Sequence, residues 1–259
     1  MKRINFEHWP WYILYIPAFF YWAWLAIKEG SATYFTRVNP AMINSGAVKS
    51  SKWHYPQKLP LEWIPKTQLD HSEGLELPIV VKPDDKERGR GVRLLDRHFA
   101  EKGALFQEFC DLPLESGIFY FRLGDRYGIT SITEKEFLPN QPVGSHNLGT
   151  TFLDGRYRIT PALTEAIHTV AQTLPGFNYG RLDLKFQSWE ALERLEQFKI
   201  IEINGVNSEP THIYQPGYSL WEAYKDIFSH MKLMQQIARQ NKELNTRPVW
   251  SFLNDWICA

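Results

Sequence analysis

Two apolar runs in the C-terminal half each carry an acid in their middle: "GRLDLKF" (180–186) holds Asp183, and "QFKIIEINGV" (197–206) holds Glu202. Short runs of Ile, Leu and Phe read as strands, and a strand sends alternate side chains to opposite faces of its sheet. A sheet that carries these acids among such neighbours needs one apolar face and one polar face. Asn204, two positions beyond Glu202, points to the same side as Glu202. If the two strands are neighbours, Asp183 joins them. The three side chains then make a set of hard oxygen donors of the kind Mg²⁺ takes when it bridges phosphate groups. The competing reading is an acid at a strand edge paired with Arg181 or Lys185, and for one acid alone it would be preferred. The combined pattern, downstream of a lysine and a glycine loop, favours the oxygen set.

That loop lies in "LPIVVKPDDKERGRGVRLL" (77–95), where an apolar run ends in Lys82 and Pro83 and a charged stretch with Gly89 and Gly91 follows. A cation at a strand end beside a bendable loop raises the question of what needs both, since glycine lets the backbone approach closely. Arg88 and Arg90 add charge there, or are solvated loop arginines. The pattern is not a P-loop, since no GxxxxGK[ST] occurs.

The 259 residues, 44% apolar and 22% charged, allow one large domain or two intimate lobes with a substantial core. Twenty-nine basic residues balance twenty-nine acidic ones, so no global field draws in nucleic acid or an anionic membrane. Any anionic ligand must be gripped locally. Cys110 and Cys258 stand far apart and outside any CxxC or Cys/His spacing, which argues against a zinc site or a disulfide scaffold.

From Trp9 to Ile27 the chain reads "WPWYILYIPAFFYWAWLAI", nineteen residues without a charge. That approaches the length of a membrane span. Pro17 interrupts a helical ladder, and the Trp and Tyr residues favour interfaces over hydrocarbon. Three readings stand: a single span, a shallow hairpin kinked at Pro17, or an apolar arm packed on the protein or a partner. Basic residues at both ends favour the hairpin, with two short helical pieces.

Beyond residue 30 the pattern is mixed α/β. Residues 31–76 read as connection and short helix; strands are expected at Ile79–Val81, at 103–109, and as a pair across 118–133 around Gly124–Asp125. Thr160 and Pro161 open a helix over 160–174, a helix-forming "SWEALERLE" separates the two acid-bearing strands, and 219–244 is the longest helical pattern.

The order "VVKP" with a glycine loop, then "QEF" followed by Glu115, then "GRLDLKF" and "EINGVNSEP", resembles the ATP-grasp superfamily, most closely its D-alanine–D-alanine ligase-like members, over roughly residues 60–230. The resemblance implies an α+β fold of two lobes clasping ATP, here with a reduced or missing N-terminal α/β domain and an apolar arm. It implies divisions at 1–30 (arm), 31–76 (connection), 77–240 (ATP-grasp domain) and 241–259 (tail). By the same resemblance Lys82, Gly89 and Gly91 meet the phosphates, Glu108 with the backbone of Phe109 and Cys110 meets the adenine, and Glu115 holds the ribose. Asp183, Glu202 and Asn204 match the magnesium ligands, and Arg181 matches the arginine at the transferring phosphoryl group. Arg122 and His146 are candidates on the substrate side, and Lys52 for the family's earlier phosphate lysine. The implied activity is ATP- and Mg²⁺-dependent joining of a small or carrier-bound carboxylate to an amine through an acylphosphate, in the cytoplasm or at the inner face of the membrane. A nucleotide-binding module without ligase activity docking on a membrane complex, or a phosphotransferase of the same fold, are the alternatives.

Overall fold

The computed structural model describes residues 6, 9–48, 52–84, 91–137 and 150–257. It is an α+β chain with two antiparallel sheets. Strands β1 (Thr67–His71), β2 (Ile79–Pro83), β3 (Arg93–Leu95) and β4 (Ala100–Glu108) make the smaller sheet in the order β1-β4-β2-β3. Strands β5 (Leu114–Leu123), β6 (Arg126–Glu136), β7 (Thr151–Asp154), β8 (Tyr179–Phe186) and β9 (Phe198–Asn204) make the larger in the order β7-β6-β5-β8-β9. The expected pair around Gly124–Asp125 is the hairpin of β5 and β6, and Gly124 takes the positive φ that the turn requires. The strands β1, β3 and β7 were not anticipated; β1 and β3 are half exposed, so their apolar signal is weak.

One face of the larger sheet is apolar throughout. Ile118, Ile132, Leu182, Leu184, Phe186, Phe198, Ile200 and Ile203 pack there against Leu163, Ile167 and Val170 of α3 (Pro161–Gln172) and Leu192 of α4 (Trp189–Glu193). Each such buried side chain contributes about 1.5–3 kcal/mol. Helix α3 starts as its sequence dictates: Pro161 stands in the first turn, and the Thr160 hydroxyl accepts from the Leu163 N–H at 3.0 Å.

Strict alternation along β9 cannot produce this arrangement. Glu202 and Ile200 are two apart, which in a regular strand puts them on one face. The register resolves the conflict, because Asp183 pairs with Glu202 and the next residue, Leu184, pairs with Ile200. Ile201 is the extra residue of a β-bulge. The bulge reverses the alternation, so Phe198 and Ile200 face the core together with Ile203, while Glu202 and Asn204 stay on the polar side.

The polar side is itself divided. Toward one end of β5 and β8, Phe119 and Tyr179 are covered by α5 (Leu220–Gln240) and by an N-terminal helix, α2 (Ile16–Glu29). Toward the other end lie the charged residues. The aromatic arm therefore forms two helical pieces, a single turn α1 (Trp11–Leu14) and then α2, with Pro17 in the first turn of α2 rather than at a mid-helix kink. The expected span and hairpin are not formed. No helix among the described residues is long and apolar enough to cross a membrane, and α2 runs alongside α5, with Leu14 and Ala18 against Ala223 and Ile227, and Leu25 and Ala26 near Ile237 and Ala238. One face of the arm belongs to the core.

Residues 31–48 do more than connect. The Asn39 amide nitrogen donates to the carbonyls of Tyr179 (2.7 Å) and Ser45 (3.2 Å), and its oxygen accepts from the N–H groups of Asn178 (2.8 Å) and Tyr179 (2.9 Å). Ser45 in turn accepts from Val206 N–H at 3.0 Å, and Gly205 packs so closely that an added Cβ would lie 2.2 Å from the Ser45 carbonyl. This clasp fixes the start of β8 and the end of β9, which carry the site. At the other end of the chain, residues expected to be a tail fold as α6 (Val249–Ile257), with Phe252 against Phe35 at 5.3 Å. Replacing Asn39 by Ala leaves several buried backbone groups without partners. Since each such group costs about 1–3 kcal/mol, a loss of about 3 kcal/mol or more is expected in urea unfolding, with Asn39→Asp recovering only part of it.

Candidate functional site

The charged end of the polar face gathers residues from four strands. Pairing sets Gly117 of β5 opposite Asp183, Asp183 opposite Glu202, and Arg181 opposite Asn204, so all of them share a face. Asp183 is buried and surrounded by donors. Its Oδ2 accepts from Arg181 (3.0 and 3.2 Å) and from the Asn204 amide (2.9 Å), and its Oδ1 lies 3.1 Å from Lys135 Nζ without forming a well-directed hydrogen bond. Burial alone would raise the Asp183 pKa, but Arg181 and Lys135 outweigh it and hold the carboxyl below the usual range. Burial likewise works against the Lys135 charge, and Asp183 with Glu115 overcomes it, so that lysine stays protonated beyond the usual lysine range.

Glu115 accepts from Lys135 at 2.8 Å and has Lys185 at 3.9 Å. Gly117, between Glu115 and Phe119, has no room for a side chain: a Cβ would come within 2.8 Å of the Arg181 side chain. Arg181 is steadied on its far side by the Glu209 carbonyl at 3.0 Å.

Lys82 arrives from the other sheet. It is the penultimate residue of β2, and its Nζ donates to Gln107 Oε1 at 3.0 Å and to the carbonyl of Ile201 at 3.3 Å. Ile201 is the bulged residue, so its backbone has left the β8–β9 ladder and is free to meet the lysine. Burial pushes the Lys82 pKa down, partly offset by Glu202, Glu115 and Asp183. Lys52 stands nearby, 3.9 Å from Glu202 and 3.4 Å from the Asp84 carbonyl.

Of the anticipated adenine side, Glu108 closes β4 and accepts from the Glu76 N–H (3.0 Å) and Lys66 (3.2 Å). The Phe109 N–H already donates to the Pro78 carbonyl at 3.0 Å, which removes it from the groups open to a base edge. Lys185 Nζ lies 5.0 Å from the Phe109 ring centroid, and burial raises the pKa of the neighbouring Cys110 thiol. Gly91 has φ of 77° at the end of the loop, where an added Cβ would crowd Pro83. Gly89, Arg88, Arg90 and His146 lie outside the described residues.

Arg122 is not brought to this cluster. It is on the opposite face, in phase with Ile118 and Tyr120, and its guanidinium is bound to Asn178 Oδ1 at 3.0 and 3.2 Å. Two residues that sequence reasoning passed over do belong here: Lys135 and Gln107. Lys135 sits in "TEKEF", which looks like a charged loop; extending the alternation of "YGITSIT" by two residues would have placed it beside Thr133.

Does the donor set suit a divalent cation? Glu202 is 30% exposed with its cation neighbour at 3.9 Å, Asp183 Oδ1 is buried without a hydrogen bond, and Asn204 adds an amide. Among the described residues no three His, Cys, Asp or Glu side chains form a metal cluster, and the third donor is that amide. Five cations, Lys52, Lys82, Lys135, Arg181 and Lys185, face three carboxylates, Glu115, Asp183 and Glu202. An excess of two positive charges offsets only part of a triphosphate, so a hard cation beside Glu202 fits both the oxygen set and the charge balance.

No protein-family model and no curated protein sequence matches the chain. Among solved structures it is similar to an ATP-grasp superfamily protein from Archaeoglobus fulgidus, at 18% identity and a TM-score of 0.45 over 71% of this chain and 54% of that one. It is similar to the D-alanine–D-alanine ligase of Helicobacter pylori at 15% identity and 0.44 over 78% and 60%, and to an L-amino acid ligase from Bacillus licheniformis at 15% and 0.44 over 64% and 43%. The chain thus spans about half the length of the structures it matches, and those matches are ATP-grasp proteins.

Proposed function

We propose that the chain binds ATP with Mg²⁺ between its two sheets and acts as an ADP-forming carboxylate–amine ligase of ATP-grasp type. The observation that carries this is the meeting of Lys82 from one sheet with Arg181, Lys135, Asp183, Glu202 and Asn204 on the polar face of the other. Cations held by a buried scaffold, with carboxylates beside them, suit a phosphoryl group and its counter-ion.

In the reaction proposed, a carboxylate oxygen of the substrate attacks the γ-phosphorus, the bond to the β-phosphate oxygen breaks, and ADP leaves. An amine then attacks the acyl carbon; the C–N bond forms, phosphate departs, and the amine nitrogen loses a proton. Lys82, braced by Gln107, holds phosphate oxygens. Arg181, oriented by Asp183 and the Glu209 carbonyl, and Lys135, held by Asp183 and Glu115, offset the charge that grows on the transferring group. Glu202, Asp183 and Asn204 are the residues that would hold Mg²⁺, which when bound would supply positive charge against the phosphoryl group. Glu115 is assigned to the ribose hydroxyls and Glu108 to the adenine end. A second reading, a nucleotide-binding module without ligation, is favoured by one feature: both oxygens of Asp183 already face cations, so metal ligation there requires one of them to give way.

Charge-assisted hydrogen bonds contribute about 1.5–3 kcal/mol, so Lys82→Ala is expected to weaken ATP binding about tenfold or more in calorimetry while leaving adenosine binding nearly unchanged. Equal loss for both would remove Lys82 from the phosphates. Glu202→Gln should keep the fold and lower Mg²⁺-dependent phosphate release, measured with carboxylate and amine pools and with hydroxylamine to trap the acylphosphate. Turnover absent from every pool, with Lys82-dependent ATP binding intact, selects the non-ligating module.

The Lys82 shift gives a pH test. Burial lowers its pKa in the free protein, and phosphate favours the protonated form, so ATP affinity is full where Lys82 is charged and falls as pH rises through its lowered pKa. The decline should begin at a lower pH than an ordinary lysine would give, and Lys82→Arg should abolish it.

A further inference from the structure

The face of α2 turned away from the core is apolar and exposed. Tyr12, Ile16, Phe19, Phe20, Trp24 and Ile27 recur at helical spacing along α1 and α2, and Phe20 and Ile27 are 68% and 81% exposed. These are large side chains, and a contiguous ridge of them is uncommon on a surface that only water meets. Helix α2 has 14 residues, about 21 Å of rise, too short for a hydrocarbon core of about 30 Å.

What flanks the ridge identifies its complement. Lys225, Lys232 and Arg239 stand seven residues apart on α5, all exposed, and so share one stripe. That stripe borders α2: Tyr224 donates to the Leu14 carbonyl at 3.0 Å, Phe228 lies 4.9 Å from the Tyr21 ring, and Arg239 binds Glu29 at 2.7 Å. Of the acids of α5, Asp226 turns inward to His212 and Tyr218, and the exposed Glu222 stands between Lys225 and Asp226, on the side of the stripe away from α2. Lys28 closes the ridge with its ammonium 3.5 Å from the Trp24 ring centroid. Lysine is depleted at protein–protein interfaces, whereas an aromatic ridge bordered by lysines is what an anionic lipid surface complements.

We propose that the α2–α5 face docks on an anionic phospholipid bilayer, with α2 lying in the interface plane and the Phe20 and Ile27 side chains entering the acyl boundary. This stands independently of the nucleotide site, which is on the charged end of the same sheet face and uses none of these residues.

The test is flotation of the full chain with phosphatidylcholine vesicles, with and without about 30% phosphatidylserine, at low and high salt. Binding is expected to the anionic vesicles, weakened by salt, and lowered about tenfold or more by Phe20→Glu with Ile27→Glu and also by Lys225→Glu with Lys232→Glu. All four positions are exposed, so thermal unfolding and ATP binding should be unchanged, which separates this test from that of the nucleotide site. Absence of flotation with either vesicle by the folded chain, or flotation that the variants do not alter, overturns the proposal. Self-association that Phe20→Glu abolishes, without vesicle binding, also overturns it and assigns the face to a second copy.

Discussion

The register of β8 and β9 is the constraint on which the rest depends. Asp183 pairs with Glu202, Leu184 pairs with Ile200, and Ile201 is left over. A strand without that extra residue would have to choose between burying Glu202 with Ile200 and exposing Ile200 with Glu202. With the bulge, Phe198, Ile200 and Ile203 all reach the core, and Glu202 and Asn204 face the charged cluster. The bulge also releases the Ile201 carbonyl to receive Lys82, so one irregularity both sorts the side chains and couples the two sheets.

The cluster it creates is held by mutual satisfaction. Asp183 is buried among Arg181, Lys135 and Asn204, Glu115 shares Lys135, and Arg181 is tied at its outer edge to the Glu209 carbonyl. Removing one member of such a set leaves an uncompensated buried charge, which costs about 3–5 kcal/mol. The same arrangement gives rigid cations aimed at one region, which is what charge stabilisation in a reaction requires. The clasp from Asn39 and Ser45 fixes both strand ends, so a segment far away in sequence sets the geometry of the site.

The sheet face is shared between this cluster and the α2–α5 pair. Phe119 and Tyr179 carry the helices while Glu115, Asp183 and Lys185 carry the charges, along the same strands. Arg181, opposite Phe119, marks the boundary. Any surface bound by the outer side of α2 would therefore lie one helical layer away from the ends of the strands that hold the site.

Local pattern was enough for a good part of this. The hairpin at Gly124–Asp125, the Thr160-capped helix, the long α5 and the polar company of Asp183, Glu202 and Asn204 were all legible, because turn chemistry, capping and periodicity act between near neighbours in the chain. Lys135 and Gln107 were not, since what makes them matter is contact with Asp183 and Lys82 across strands. Arg122 stood in the sequence as a substrate-side candidate; only the phase of β5 against the core sends it to the other face. Nor could the sequence decide between a span, a hairpin and a packed arm for residues 9–27, because nineteen uncharged residues suit all three. Tertiary structure decided it: Leu14, Ala18, Leu25 and Ala26 find a matching apolar stripe on α5, and burial there is available only once α5 itself is folded on the sheet.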